Sequence, residues 1–456
     1  MRKKYFLEVF GCQMNKSDAE RLSSILDTLG MERTENENDA QLIAVQACSV
    51  RQSAIDRIFA RIHVWQERQK TNKELLTLLT GCVLPDDKKK FNSTFDILLD
   101  THDLLKLPDI LYTRKFLSQA SAKAPKHISS DEVTNDDFFG IKPNYGSSFQ
   151  AYIPIQAGCN NFCTFCAVPY TKGRERYRSH TDILHEIRQL IEKGYKEITL
   201  LGQNVNTYFD PTLKSGIGKR LQYRKWNALT DFPRLLRLVN DLQGDFWIRF
   251  ITSNPWDMSD ETIRAVAECE KICEYIHLPA QAGHDYTLKR MNRHHTVAHY
   301  QTLISKIRNK IKEPLSITTD IIVGFPGETR EHFEGTATLL RDVGYDMAYI
   351  ARYSPRPNTI AKEYFKDDVS REEKRERERI LTEILKASAI ERNRAYIGKT
   401  LRVLVEKQKR EGVFLGKTRT FKSVIFHAHE NCVGEFVELK ITAADTWGLE
   451  GILHFE

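Results

Sequence analysis

The sequence predicts an α/β protein in three parts. These are an N-terminal parallel α/β domain, a partial (β/α)6 TIM-like barrel, and a small antiparallel β-barrel at the C-terminus. Three observations predict it. Short apolar runs alternate with helical patterns over the first hundred residues. Six further strand candidates, again separated by helical patterns, lie between about residues 150 and 355. The last sixty residues alternate apolar and polar side chains with a period of two. At 456 residues the chain exceeds what one core holds, so several domains are expected.

The N-terminal elements come first. "KYFLEVF" (4–10), "AQLIAVQ" (40–46), "ELLTLLT" (74–80) and "FDILLD" (95–100) read as buried strands. Helical patterns cover about residues 17–30 and 50–70, with Ser17 and Asp18 suited to a helix start and Gly30 to its end. Such alternation builds a parallel sheet through right-handed crossovers. Each of the first three strands ends at a cysteine: Cys12, Cys48 and Cys82. Ligands of open parallel sheets bind beyond the carboxyl ends of the strands. One cysteine there reads as a small buried hydrophobe. Three at equivalent positions read as a rim of ligands.

Residues 119–144 are polar, rich in Ser, Pro and Asp, and read as a linker. The next strand candidates are 149–156, 197–203, 246–252, 275–279, 316–324 and 346–352, with helices at 180–193, 259–273, 296–311 and 329–343. Barrel chemistry sits at the carboxyl ends of the strands. Just past the first strand, "AGCNNFCTFCAVPY" (157–170) carries Cys159, Cys163 and Cys166 as C-x3-C-x2-C. "KGRERYR" (172–178) follows, with Lys172, Arg174, Arg176 and Arg178 either meeting a carboxylate or phosphate or forming a solvated basic turn. A polar insert, 209–230, follows the second strand.

The segment 370–396 is a charged helix whose charges read as a solvated face. Five short β patterns close the chain. Arg410, Lys417, Arg419 and Lys422 are interleaved there with Phe414 and Phe421. Basic and aromatic residues on a small barrel suit looped or single-stranded RNA; an accessory barrel of mixed charge is the plain alternative. Cys269 and Cys273, four apart on the helix 259–273, read as packing residues, as does Cys432. His294 and His295 read as surface.

The composition, 41% hydrophobic and 28% charged, is that of an ordinary soluble protein. No run of 18 apolar residues exists, so no membrane span is expected. The N-terminal apolar run is too short for a signal peptide. A cytoplasmic chain with nine cysteines points to metal or catalytic use over disulfides. A net charge of +7 permits an anionic partner without demanding one.

A closed tetrahedral site needs four ligands, and Cys159, Cys163 and Cys166 supply three. Thiolates select iron–sulfur clusters, and three of them leave one iron open to an outside molecule. Zinc recruiting a distant cysteine is the alternative. The array resembles that of the radical S-adenosylmethionine (SAM) superfamily. With "GCQMN" (11–15), "LLGQNVN" (200–206) and "IVGFPGET" (322–329), the whole chain is similar to the radical SAM methylthiotransferases, and to their tRNA-modifying branch, the MiaB type.

The resemblance implies a division into 1–118, an auxiliary-cluster domain; the linker 119–144; 145–385, a radical SAM core; and 388–456, a TRAM RNA-binding domain. It implies two [4Fe-4S] clusters, one on Cys159, Cys163 and Cys166 and an auxiliary one on Cys12, Cys48 and Cys82. The first would cleave SAM to a radical that abstracts hydrogen from carbon 2 of an adenine. The second would carry the sulfur, methylated by another SAM, so that two SAM are used per turnover. SAM contacts are expected from Gly202, Gln203, Asn204, Ser253, Asn254, Gln281, Asp320, Gly324 and Glu328. RNA contacts are expected from Arg410, Phe414, Lys417, Arg419, Phe421 and Lys422. The implied substrate is isopentenylated adenosine 37 in a tRNA anticodon stem-loop, with a low-potential electron donor and a sulfur source. The rivals are threonylcarbamoyl-adenosine, a ribosomal protein, or a non-catalytic metal-stapled RNA binder. The chain departs from the family pattern at Gln46, Ala47 and Asn358, which bears on the surroundings of the clusters rather than their ligands.

Overall fold

The computed structural model describes residues 2–50, 52–117, 137–212 and 231–454. Residues 119–136 of the expected linker and 213–230 of the expected insert lie outside the described residues.

Strands β1 (Lys4–Val9), β2 (Glu32–Arg33), β3 (Leu42–Cys48), β4 (Leu76–Cys82) and β5 (Ile97–Leu98) form one sheet in the order β2-β1-β3-β4-β5. Every pairing in it is parallel. Strand β3, "LIAVQAC", is buried along its whole length. Helix α1 (Gln13–Thr28) covers one face through Leu22 and Leu26, and α2 (Gln52–Thr71) the other through Ile55, Ile58 and Trp65. A strand buried on both faces needs this continuous apolar run. Helix α1 begins at Gln13, ahead of the Ser17–Asp18 start expected. Cys12 is its N-cap, and the Asn15 side chain completes a capping box. Ser17 and Asp18 lie buried within the helix.

The second part is built on β6 (Gln150–Pro154), β9 (Glu197–Leu201), β10 (Trp247–Phe250), β11 (Tyr275–His277), β12 (Ser316–Val323) and β13 (Met347–Arg352). They form two parallel groups, β10-β9-β6 and β11-β12-β13, joined by a bridge between Ile248 and Ile272. The result is an open six-strand barrel. A short ribbon, β7 (Gln156–Ala157) with β8 (Arg176–Tyr177), stands at its rim. The helix expected at 259–273 ends at Glu268, because Cys269 takes extended backbone. Cys273 instead donates its amide to the Ile248 carbonyl at 2.9 Å, so the two cysteines do not share a helix face.

The helix Arg371–Arg394 corrects the solvated reading. Lys374, Arg377, Leu381, Leu385, Ala389 and Asn393 form a buried stripe on it. Its two buried cations are admitted because each meets a carboxylate: Lys374 with Asp367 at 2.6 Å and Arg377 with Glu328 at 2.5 Å.

Strands β14 (Thr400–Arg410), β15 (Val413–Thr418), β16 (Ser423–His427), β17 (Phe436–Ala444) and β18 (Leu449–Leu453) close a barrel in the order β14-β15-β16-β18-β17. All pairings are antiparallel except β16–β18, the parallel seam that closes it. This small barrel docks on the amino ends of the larger barrel's strands. Arg249, on β10, donates to Glu197 Oε2 at 2.5 Å and to the carbonyls of Thr418 and Arg419 at 2.7 Å each. Phe421 lies 4.9 Å from the Tyr275 ring, and Trp247 4.6 Å from Phe436.

Arg249→Met leaves the buried Glu197 carboxylate unpaired. It should cost about 3–5 kcal/mol and free the small barrel first. Limited proteolysis near residue 394 together with urea unfolding checks this. Unchanged cleavage and midpoint would show that Arg249 is not the clamp.

Candidate active site

The C-x3-C-x2-C loop is held on two sides. On the first, β7 leads into Gly158 at φ +82, where an added Cβ would lie 2.1 Å from the Arg174 carbonyl oxygen. Only glycine lets the chain pass there. Buried Gln156 accepts from the amides of Gln203 at 2.8 Å and Asn204 at 3.3 Å, and donates to the Gly158 carbonyl at 2.5 Å. The Gln203 side-chain oxygen accepts from Gly158 N at 2.6 Å. A Cβ on Gly202 would meet Gln156 Oε1 at 2.5 Å. The "GQN" segment at the end of β9 thus frames the cysteine loop, and the Gln203 side chain is used in doing so.

On the second side stands the segment 290–293. Thr164 donates to the carbonyls of Arg290 and Met291, at 2.9 and 3.1 Å. Asn292 Nδ2 donates to the carbonyls of Asn161 and Phe162 at 3.1 Å each. Arg293 reaches Cys163 Sγ at 3.5 Å, Asn254 Oδ1 at 3.2 Å and the Pro279 carbonyl at 3.0 Å. Sequence reasoning missed Arg293. Burial pushes the Cys166 thiol up, and the neighbouring Cys163 and Cys159 add to it.

The other expected contacts lie at or beyond the strand ends. Asn204 Oδ1 and Ser253 Oγ are buried without hydrogen-bond partners among the described residues. Gln281 sits at φ +72 and donates its amide to the Asp320 carbonyl at 2.9 Å. The Asp320 carboxylate lies 3.3 Å from His277 Nε2 and is 38% exposed. Gly324 passes so close to Lys374 that a Cβ would lie 2.3 Å from its Cγ. The buried Glu328 carboxylate accepts from Gly324 N at 2.9 Å and from Arg377 at 2.5 Å. It closes the "GFPGE" turn.

The other three cysteines meet at the rim of the first sheet. Cys48 and Cys82 are register partners on β3 and β4. Cys12 caps α1. Asn15 ties them together: its Oδ1 accepts from Cys12 Sγ at 3.3 Å, and its Nδ2 donates to the Ala47 carbonyl at 2.9 Å and reaches Cys82 Sγ at 3.9 Å. Below them Gln46 Oε1, Thr80 Oγ1 and Asp18 Oδ1 are buried and unpaired among the described residues. Burial pushes the Cys82 thiol up, Lys172 opposes this, and Cys48 and Cys12 add to the rise.

These residues fit a cluster better than a single ion. Among the described residues, in neither triad do all three sulfurs lie within 4.8 Å of one another. Metal–sulfur bonds of about 2.3 Å would hold the thiolates of one tetrahedral ion roughly 3.8 Å apart. Wider spacing and three thiols per site suit a larger inorganic core.

The "KGRERYR" segment is only in part a solvated turn, with Gly173 and Arg174 exposed. Lys172 is buried and pairs with Asp18 at 2.5 Å. Arg178 is buried against Glu186 at 2.6 Å, and Arg174 lies 4.5 Å over the Phe162 ring. Beyond β13, Arg356 is buried and donates to the Ser49 carbonyl and Gln52 Oε1. His295, expected at the surface, is buried.

The expected RNA contacts separate. Phe414 packs inside the small barrel, 5.8 Å from Phe426. Arg419 grips Glu274 at 2.7 Å, Lys422 pairs with Asp346 at 2.6 Å, and Phe421 rests on Tyr275. These three dock the barrel. Lys417 donates to Ser423 Oγ at 2.7 Å. Arg410 alone is exposed, beside exposed Lys407 and Lys409.

Raised thiols bind metal only by losing their protons. Iron retention against a chelator should therefore weaken as pH falls from about 8 to about 6, because Cys82 and Cys166 are pushed up. A flat profile would remove these thiols as ligands.

Comparison with known proteins follows this geometry. Residues 153–340 match the Radical SAM superfamily, 4–99 the Uncharacterized protein family UPF0004, and 394–453 the TRAM domain. The tRNA-2-methylthio-N(6)-dimethylallyladenosine synthase of Clostridium perfringens is 39% identical over 99% of this chain and 98% of its own. That of Clostridium botulinum is 39% identical over 98% of this chain and 96% of its own. Among solved structures, the radical S-adenosylmethionine methyltransferase TsrM of Kitasatospora setae shares the fold, with a TM-score of 0.54 and 11% identity over 79% of this chain and 77% of that one. The chain is a radical SAM methylthiotransferase and belongs to the tRNA-2-methylthio-N(6)-dimethylallyladenosine synthase family.

Proposed function

We propose that the enzyme inserts a methylthio group at carbon 2 of N(6)-dimethylallyladenosine (isopentenyladenosine) at position 37 of tRNA. It works with two [4Fe-4S] clusters and two SAM per turnover. The observation that carries this reading is the juxtaposition of the two thiol rims. Lys172, just past the Cys159–Cys166 loop, pairs at 2.5 Å with Asp18, just past Cys12. When bound, the clusters and SAM supply the one-electron chemistry that activates the base and the methylated sulfur that replaces its hydrogen.

The chain's own residues bind, orient and exclude water. Cys159, Cys163 and Cys166 would hold one cluster, which would supply the radical chemistry. Asn204 Oδ1 and Ser253 Oγ, buried and unpaired among the described residues, offer polar partners to SAM there. Arg293 fixes Cys163 against Asn254. Gly202, Gln203, Gln281, Asp320 and Gly324 shape the remaining wall, with Glu328 acting through the turn it closes. Cys12, Cys48 and Cys82 hold the sulfur-bearing cluster. A low-potential electron donor and a sulfur source complete the reaction. The division 1–118, 145–385 and 388–456 gives one task to each part: sulfur, radical chemistry and RNA. The RNA face is Lys407, Lys409 and Arg410, because Arg419, Phe421 and Lys422 are occupied in docking.

Replacing Cys159, Cys163 and Cys166 with Ala should halve an iron content of about eight and abolish SAM cleavage. Replacing Cys12, Cys48 and Cys82 should also halve the iron, leave SAM cleavage by a strong reductant, and stop sulfur insertion. Methylthiolated tRNA from the second variant, sought by nucleoside mass spectrometry, would overturn the auxiliary assignment. The same measurement on tRNA from a deletion strain separates isopentenyl from threonylcarbamoyl substrates.

The triple change of Lys407, Lys409 and Arg410 to Ala should weaken binding of an anticodon stem-loop roughly tenfold and flatten the slope of log affinity against log salt. Arg419→Ala should instead lower the unfolding midpoint. Equal salt slopes for the triple variant and the wild type would move the RNA face elsewhere.

A further inference from the structure

The Lys172 cation belongs to one domain by sequence and to the other by position. Its Nζ lies 2.5 Å from Asp18 Oδ2, and the two side chains are 7% and 1% exposed. Asp18 follows Cys12 on α1, and Gln46 Nε2, two residues before Cys48, reaches the same carboxylate oxygen at 3.5 Å. The cation is therefore seated beneath the thiol rim of the first sheet. The sulfurs of Cys82 and Cys12 lie within its electrostatic reach. Lys172 stands six residues past Cys166 in the sequence, yet its partner lies 154 residues away.

Resting on the function proposed above, we propose that Lys172 is a positioning residue that sets the reduction potential of the cluster on Cys12, Cys48 and Cys82. That cluster then has its working potential only when the two domains are docked. Three thiolates make the cluster anionic, and an added electron makes it more so. A buried cation stabilises the reduced form in a low-dielectric setting, and its paired carboxylate opposes it. Lys172 and Asp18 therefore pull the potential in opposite directions, which a purely structural ion pair does not do.

The test uses the full chain with Cys159, Cys163 and Cys166 changed to Ala, reconstituted with iron and sulfide and titrated by EPR against potential. Lys172→Met should lower the midpoint by about 59 mV, a tenfold change in the one-electron equilibrium. Asp18→Asn should raise it, and Lys172→Arg should keep it. The double variant Lys172→Met/Asp18→Asn buries no unpaired charge and should fall between the two single changes. In the complementary chain lacking Cys12, Cys48 and Cys82, Lys172→Met should leave the other cluster's midpoint unmoved. Shifts of the same sign for both single changes, a double variant outside their range, or equal shifts in both backgrounds would overturn the proposal. A cluster that forms but ignores Lys172 overturns this proposal alone. No cluster in the first background overturns the assignment of the triad, and the proposal with it.

Discussion

A charge buried without its partner is among the most destabilising things a fold can contain. The Lys172–Asp18 pair puts that constraint across a domain boundary, because each half is supplied by a different domain. Neither surface is at ease alone. The second crossing works the same way: Arg356, beyond β13, reaches the Ser49 carbonyl one residue past Cys48. Ser17 adds a hydrogen bond to the Tyr152 carbonyl on β6 at 3.2 Å. Three tethers from one thiol rim to the barrel fix the two triads relative to each other. A reaction that must bring a sulfur to an activated carbon depends on that fixed relation.

The opposite end of the barrel is closed by the same device. Arg249 pairs with Glu197 inside the barrel and then donates to two carbonyls of the docked C-terminal domain. The helix Arg371–Arg394 braces the outside, with Leu381 and Leu385 in the barrel's core and Asn393 bonded to the Asp445 carbonyl. Apolar burial supplies the bulk of the stability. The arginines set the geometry, since a guanidinium offers several donors in a fixed fork.

Much of the architecture was legible because it rests on periodicity. The strand runs and the helices between them follow from patterns that burial enforces. Other features were not legible, each for a physical reason. The start of α1 was misplaced because cysteine is outside the usual capping residues, and only the ladder near Cys12 shows that Asn15 makes it one. The helix at 260–268 stops early because Cys273 joins the β10 edge, a long-range pairing that local pattern does not carry. Arg293 was invisible because its hydrogen-bond partner Cys163 lies 130 residues away in the chain. The six thiols were found because strand ends and ligand spacing are local signals. The wall around them is assembled from distant segments.

Charge is where the sequence misleads most. Alternation on β15 places Phe414, Gly416 and Thr418 inward and Leu415 and Lys417 outward, as a half-buried strand should. Outward on a small barrel is not the same as solvent, however, because the larger barrel covers that side. Arg178, Arg249, Arg356, Lys374, Arg377 and Lys422 are all buried, and the Lys172 side chain is 7% exposed. A mild excess of positive charge thus says little about an anionic partner when so many of the cations serve inside. In the reading proposed above, RNA meets Lys407, Lys409 and Arg410 at the free end of β14, which are exposed together. Phosphate contacts need cations that keep their hydration until the ligand arrives. That condition is met at the end of the strand and lost at the docked loop.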